Sequence, residues 1–353
     1  MNILLLSRYS RLGASSRLRT MQYLPVLARE GLNVQVASFF DDAYLQALYS
    51  RQKRHGSTTG YMLERVQQIR RSPAPDLIWL EKEALPWVPW LVERAVLPRG
   101  VPIVSDYDDA IFHRYDRHRR GVVRVLLGGK IGKLMAASGL VLAGNPYLAE
   151  HALASGAKWV EIVPTVVDLD AYLVAVRTTE RQPSVGWIGT PQTWAELARP
   201  IHAVLLPALV KRGALFRAVG AALTAEDGER LEIRPWSEAT EVAAIQQIDI
   251  GVMPLPDTPW ARGKCGYKLI QYMACGIPVV ASPVGVNSDI VEHGVNGFLA
   301  RTDAEWRDAV ETLLSDPDLR MRMGAAGRRK VEERYSLQVW GLRMAEMLRN
   351  VVS

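Results

Sequence analysis

Short runs rich in Val, Ile and Leu alternate with longer stretches of helical spacing along almost the whole chain. Strands covered by helices on both faces read as near-continuous apolar runs, so this rhythm predicts parallel sheets assembled from βαβ units. Strands are expected at 3–6, 34–39, 77–80, 103–105, 140–143 and 160–163. Helices are expected at 16–30, 42–54, 61–71, 87–96, 119–137 and 147–154. From Asp168 to Gln182 the rhythm is lost, and Pro183 closes the gap. It restarts with strands at 184–188, 215–219, 232–234, 248–253, 279–281 and 297–300. A chain of 353 residues suits two domains better than one. The expected layout is an α/β domain over 1–167, a linker over 168–183, a second α/β domain over 184–336, and a closing helix over 337–353 that returns to the first domain. Two doubly wound domains facing a central cleft would present it with the carboxyl ends of their strands, where such folds bind ligands.

Composition narrows the setting. Only Cys265 and Cys275 are present, with no CxxC and no His at ligand spacing. That argues against a disulfide framework or a zinc site and fits a reducing compartment. The apolar opening Met1–Leu6 is too short for a secretory leader, and Arg8 and Arg11 follow it rather than precede it. No apolar run approaches the roughly 20 residues that span a bilayer. A cytoplasmic protein is expected, soluble or peripheral on the inner face of the membrane.

The net charge of +6 resides in the first half. Arg51, Lys53, Arg54, Arg65, Arg70 and Arg71 form one basic cluster; Arg114, Arg117, Arg119, Arg120, Arg124, Lys130 and Lys133 form another. These clusters read equally as a solvated surface or as a seat for an anionic partner, either lipid head groups or a phosphorylated acceptor. Nucleic acid is not expected, since no aromatic-basic recognition motif accompanies the charge. Val123, Leu126, Leu127, Ile131 and Leu134 give the stretch 119–137 a broad apolar face among those cations. Core packing explains such a face; docking on an anionic membrane, with Trp87 and Trp90 as anchors, is the alternative.

The richest chemistry lies between Ile248 and Ala300. A buried strand ends at Pro254 and Pro256, a loop carries Arg262, Lys264 and Lys268, and a helix follows that ends at Gly276. Cations near a helix N-terminus at a strand's carboxyl end make an anion site, and a diphosphate is its natural occupant. Three loop cations are nonetheless often solvated. Lys268-Leu-Ile-Gln-Tyr-Met-Ala-Cys-Gly-Ile-Pro-Val-Val-Ala-Ser-Pro-Val-Gly285, followed by Ile290-Val-Glu-His-Gly-Val-Asn-Gly-Phe-Leu299, resembles the donor-site signature of glycosyltransferase family four, the group 1 glycosyl transferases of the GT-B superfamily. Val163-Pro-Thr-Val-Val-Asp168 and the final helix after Tyr335 extend the resemblance over essentially the whole chain.

One departure stands out. Such enzymes usually carry two glutamates eight positions apart, and in register with Met273-Ala-Cys-Gly276 those positions are Gly263 and Gln271. The resemblance implies that the second normally holds the donor ribose hydroxyls, a role that Gln271 can still fill with its amide. The first normally contacts the transferred sugar, which Gly263 cannot do. Arg262 and Lys264 are expected to take over part of the phosphate or sugar contacts, with Tyr267 also on the donor side.

Three further segments complete the expected sites. Ser184–Ile188 closes on Gly189-Thr190, where glycine admits close backbone approach and the Thr190 hydroxyl adds a donor; a simple turn is the plainer reading. The Arg and Lys usual after this turn are replaced by Gln192, Thr193 and Trp194. Trp236, in Pro235-Trp236-Ser237, is placed to stack on the nucleotide base or to pack inside. In the first half, Gly13, Ser15, Ser16 and Arg17 occupy the glycine-rich loop of the resembling enzymes and suit an acceptor phosphate, or ordinary helix capping. Asp106-Tyr-Asp-Asp109 follows a buried strand; Asp108 and Asp109 are candidates for acceptor base, sugar-hydroxyl contact, partner of the basic residues, or cap of the next segment. A DxDD run also suits magnesium, but the resemblance implies catalysis without a metal.

The resemblance therefore implies a GT-B hexosyltransferase with no cofactor beyond a nucleotide-sugar co-substrate. It would move a sugar from a UDP- or GDP-sugar to a glycan or lipid-linked acceptor, with retention. A non-catalytic GT-B subunit supporting a partner enzyme and a sugar-nucleotide epimerase remain alternatives.

Overall fold

The computed structural model describes residues 1–49, 57–175, 181–222 and 230–352. Arg51, Lys53 and Arg54, with the end of the helix expected at 42–54, lie outside the described residues. The chain forms two compact units. The first holds Met1–Thr165, the short segment Gly263–Cys265, and Leu337–Ser353; the second holds Val166–Arg262 and Gly266–Ser336.

Each expected strand is present within a few residues. The first unit's strands are β1 (Asn2–Tyr9), β2 (Asn33–Phe40), β3 (Leu77–Glu81), β4 (Ile103–Tyr107), β5 (Leu140–Ala143) and β6 (Val160–Ile162), ordered β2-β1-β3-β4-β5-β6 and all parallel. Its helices are α1 (Ala14–Arg19), α2 (Leu24–Arg29), α3 (Asp42–Tyr49), α4 (Thr58–Arg71), α5 (Trp90–Val96), α6 (His113–Asp116), α7 (Gly121–Leu127), α8 (Lys130–Ala137) and α9 (Pro146–Ala154). Two expected helices are broken. The first is interrupted by a 3₁₀ turn at Met21–Tyr23 and restarts with Pro25 in its opening turn, where a missing N–H costs nothing. The second breaks between α7 and α8 at Gly128 and Gly129.

The second unit contains β7 (Ser184–Ile188), β8 (Leu215–Val219), β9 (Leu231–Arg234), β10 (Ile250–Met253), β11 (Val279–Ala281) and β12 (Gly297–Leu299), a parallel sheet ordered β12-β11-β10-β7-β8-β9. Its helices are α10 (Pro191–Thr193), α11 (Arg199–Lys211), α12 (Glu241–Gln246), α13 (Pro259–Arg262), α14 (Tyr267–Ala274), α15 (Asn287–Ile290), α16 (Asp303–Ser315) and α17 (Pro317–Arg334). The last helix, α18 (Leu337–Asn350), packs on α2 in the first unit. Each sheet reverses its strand order once, between β1 and β3 in the first and between β7 and β10 in the second. Strand connections diverge at those points, leaving a crevice at the carboxyl ends where ligands of such sheets sit.

The interior changes the reading of the charge clusters. Arg65 is buried and donates to the carbonyls of Ala37 and Ser7. Lys130 is buried and pairs with Glu83 at 2.6 Å and Glu93 at 2.7 Å, while Glu83 also holds Arg8 at 3.2 Å. Neither Arg65 nor Lys130 therefore belongs to a surface patch. Among the described residues, no helix is long and apolar enough to cross a membrane.

Candidate functional site

At the switch point of the second sheet, β7 closes on Gly189-Thr190. Thr190 and Thr193 cap each other reciprocally, opening α10, so the Thr190 hydroxyl takes part in a helix cap. The turn after β8 carries Gly220 at φ +78°. A Cβ there would stand 2.2 Å from the Gly189 carbonyl oxygen and 3.2 Å from the Trp236 Cβ, so glycine lets the ends of β7, β8 and β9 come together. Sequence reading passed over Gly220, although a glycine directly after a buried strand is the signal that could have found it. Lys268, in the first turn of α14, stands with its ammonium 5.6 Å from the ring centroid of buried Trp187 on β7.

The other side of this site is a hydrogen-bonded group from three elements. Gln271 on α14 is buried, and its amide Nε2 donates to the Tyr172 hydroxyl at 2.7 Å and to Glu241 Oε1 at 2.8 Å. Tyr172 donates to the same Oε1 at 2.6 Å, and Trp236 Nε1 donates to Glu241 Oε2 at 2.7 Å. The Tyr267 hydroxyl lies 3.4 Å from that of Tyr172. Burial pushes the Tyr172 phenol up, and Tyr267 and Glu241 add to the shift, so it stays a neutral donor. Trp236, Tyr267 and Gln271 are thus assembled around Glu241, which sequence reasoning missed because nothing local in 237–246 marks it. Arg262, by contrast, makes a two-pronged pair with Asp257 at 2.7 and 3.0 Å, with both side chains more than half exposed.

The first unit's switch point gathers a different set. Gly13 caps α1, and a Cβ there would meet the Tyr9 Cβ at 2.3 Å. Ser15 donates to Asp108 and accepts from Lys82 Nζ at 3.0 Å. Lys82 also pairs with Asp108 at 2.7 Å and Asp109 at 3.4 Å. Lys264, in the segment that belongs to this unit, pairs with the other Asp109 oxygen at 2.8 Å. Lys82 is buried and sits at φ +65°, a left-handed conformation costly for a side chain with a Cβ. Charged residues at the carboxyl end of an apolar strand, Glu81-Lys82-Glu83, were the available signal for it. Burial would push the Asp108 carboxyl up, but Lys82 and Ser15 hold it well below the usual carboxylate range.

Ser16 and Arg17 face inward. Ser16 donates to Glu81 at 2.5 Å and accepts from the Tyr9 amide at 2.9 Å, and buried Arg17 donates to the Arg11 carbonyl at 3.4 Å. Asp106 is buried against Arg19 at 2.8 Å, and burial pushes its carboxyl up to about 6. The position of the usual first glutamate is explained by packing. A Cβ on Gly263 would stand 2.6 Å from the Ala110 Cβ and 2.7 Å from the Ala110 amide nitrogen, so no larger residue fits there.

Known proteins place this geometry. The family described as "Glycosyl transferases group 1" matches residues 182–316. The human alpha-1,3/1,6-mannosyltransferase is 38% identical over 67 residues, which is 19% of this chain and 16% of that protein. The D-inositol 3-phosphate glycosyltransferase of Pseudarthrobacter chlorophenolicus is 38% identical over 91 residues, 25% of this chain and 20% of that protein. The aligned stretches thus span at most about a fifth of these two relatives. Over whole chains, the crystal structure of Anabaena HepE in complex with UDP superimposes with a TM-score of 0.70 at 18% identity, covering 99% of this chain and 100% of that one. Residues 182–316 are thus similar to the group 1 glycosyl transferases, and the chain as a whole takes the GT-B fold.

Proposed function

We propose that the protein transfers a sugar from a nucleoside-diphosphate sugar to a hydroxyl of a glycan or lipid-linked acceptor. The observation that carries this reading is the convergence at the β7–β10 switch point. The Lys268 ammonium and the first turn of α14 offer an anion site, Gly220 draws the strand ends together beside it, and an aromatic-carboxylate group completes it. That polarity fits a diphosphate joined to a nucleoside, and the UDP bound to Anabaena HepE supports it. Lys268 and the neighbouring amides stabilise the negative charge that grows on the departing diphosphate. Asp108 is a weak base because its carboxyl is held low. Asp108 therefore orients acceptor hydroxyls, Asp109, paired with Lys82 and Lys264, orients them beside it, and the departing phosphate oxygen takes the acceptor's proton, the course expected of a retaining enzyme. In thermal unfolding, UDP or GDP at 100 times its dissociation constant stabilises the protein by about 2.7 kcal/mol. No shift with any nucleoside diphosphate or nucleotide sugar at millimolar concentration refutes the reading.

The acceptor side of this proposal includes an anionic lipid surface. On α7, Val122, Val125 and Leu126 share one face and are 62%, 84% and 64% exposed. Arg117, Arg119, Arg120, Arg124 and Lys133 around it are exposed, and among the described residues no carboxylate pairs with them. Trp87 is 43% exposed and packs edge-on against His118, whose ring accepts from the Arg120 amide. Trp90, the other anchor considered from sequence, packs instead against the first unit's core. Exposed apolar side chains ringed by uncompensated cations fit a bilayer with anionic head groups better than a soluble polyanion.

A further inference from the structure

The carboxylate at the centre of the second unit's hydrogen-bonded group has a use that the sequence signature does not assign. A carboxylate offers about four acceptor positions on its two oxygens. On Glu241, Oε1 accepts from Tyr172 at 2.6 Å and from Gln271 at 2.8 Å, which fills it. Among the described residues Oε2 accepts only from the Trp236 indole at 2.7 Å, which leaves one position. Gln271 and Tyr172 are buried, and Gln271 turns its amide NH₂ inward, whereas Glu241, like Trp236 and Tyr267, is partly buried, so Glu241 is the acceptor of the group that a ligand can reach. Its neighbour Trp236 lies beside Gly220, at the joined ends of β7 and β8.

Acceptor-only chemistry in this place suits a ligand that brings hydroxyl donors. An anion would be repelled by the carboxylate, and the cationic, amide-rich part of the same site already suits the phosphates. Two carboxylates at positions 241 and 271 would stand within 2.8 Å and repel each other; a glutamine donating into a glutamate is the stable pairing.

We propose that Glu241 is the residue that receives the ribose hydroxyls of the nucleoside, with Gln271, Tyr172 and Trp236 as positioning residues that fix its carboxylate. The inference rests on the nucleotide-sugar reading and deepens it. The negative charge for diol recognition comes from α12, and α14 contributes a neutral donor behind it. The site then discriminates ribonucleotides from their deoxy counterparts through one charge-assisted hydrogen bond.

Calorimetric titration of the full chain with UDP and GDP, and with their 2′,3′-dideoxy counterparts, tests this. The unmodified protein prefers the ribonucleotide by about tenfold or more. Glu241→Ala binds the two forms alike, near the affinity of the unmodified protein for the dideoxy form. Glu241→Gln keeps an acceptor oxygen for its neighbours and loses most of the preference. Because the readout is a ratio within each variant, a loss of folded protein cannot imitate it. If no nucleoside diphosphate binds the unmodified protein, the inference and the functional reading both fall. Equal binding of both forms by the unmodified protein overturns diol recognition but leaves nucleotide binding standing. A preference undiminished in Glu241→Ala gives the hydroxyls to another residue.

Discussion

The two switch points occupy equivalent places in two similar sheets, yet their charges are arranged in opposite ways. In the first unit, Lys82 and Lys264 are matched by Asp108 and Asp109, and behind them Lys130, Arg8, Glu83 and Glu93 form a buried network. In the second, Lys268 stands over an indole, Gly220 lets the ends of β7, β8 and β9 come together, and among the described residues Glu241 keeps an acceptor position open. A site whose ionic groups satisfy one another favours neutral ligands rich in hydroxyls, because an ionic ligand must first break a pair. A site with an anion seat on one side and a lone carboxylate on the other favours a ligand that is charged at one end only. The difference sets a seat for a neutral, hydroxyl-rich ligand apart from a seat for a ligand charged at one end.

The largest effect is expected in the first unit's buried network. Lys130→Ala leaves Glu83 and Glu93 buried without their shared cation, and about 3–5 kcal/mol of stability is expected to go in denaturant unfolding. A loss below about 1 kcal/mol would mean that water already reaches the network. Next comes a pair of lysines. Lys268→Ala is expected to cost about 2–4 kcal/mol in transition-state stabilisation, measured as kcat/KM with whichever nucleotide sugar serves as donor. Lys264→Ala removes one partly exposed ion pair and is expected to cost under about 1 kcal/mol. Equal, large losses would place both ammonium groups on the diphosphate and erase the contrast between the sites. The smallest effect per residue belongs to α7 and its surroundings, where each exposed cation near an anionic leaflet contributes about 1 kcal/mol. Replacing Arg117, Arg119, Arg120 and Arg124 with Gln should abolish most sedimentation with anionic vesicles and leave nucleotide affinity intact. Salt should release the unmodified protein, and neutral vesicles should bind it far less. Equal partitioning onto neutral and anionic vesicles, or none onto either, refutes the lipid surface.

The sheets were legible because a strand buried on both faces must be apolar throughout, a signal that survives without knowledge of neighbours. The helix breaks were less so: Pro25 and Gly128-Gly129 were visible, but an apolar periodicity ran through both. Charge was read least well. Arg65 and Lys130 look like members of basic surface runs, and only tertiary partners distant in sequence show that they are internal. Lys82 lay beside a strand end that the sequence located, yet its role depends on Ser15 and Asp108, which the fold brings to it. Both departures from the glutamate signature have physical reasons that no local pattern contains. Gly263 abuts the backbone of Ala110, and Gln271 faces a carboxylate contributed by α12. Arg262 was expected at the anion site and is found paired with Asp257.

The placement of α18 bears on how the chain is made. Val26 of α2 lies under Gly341, and Arg349 pairs with Glu30 at 3.0 Å across 319 positions of sequence. At synthesis rates of about 5–20 residues per second, α2 emerges roughly 15–60 seconds before the helix that covers it. The second unit's polypeptide is translated entirely within that interval. Until α18 arrives, the flank of α2 that it covers lacks that cover. Of the two units, the first is begun earlier and completed later.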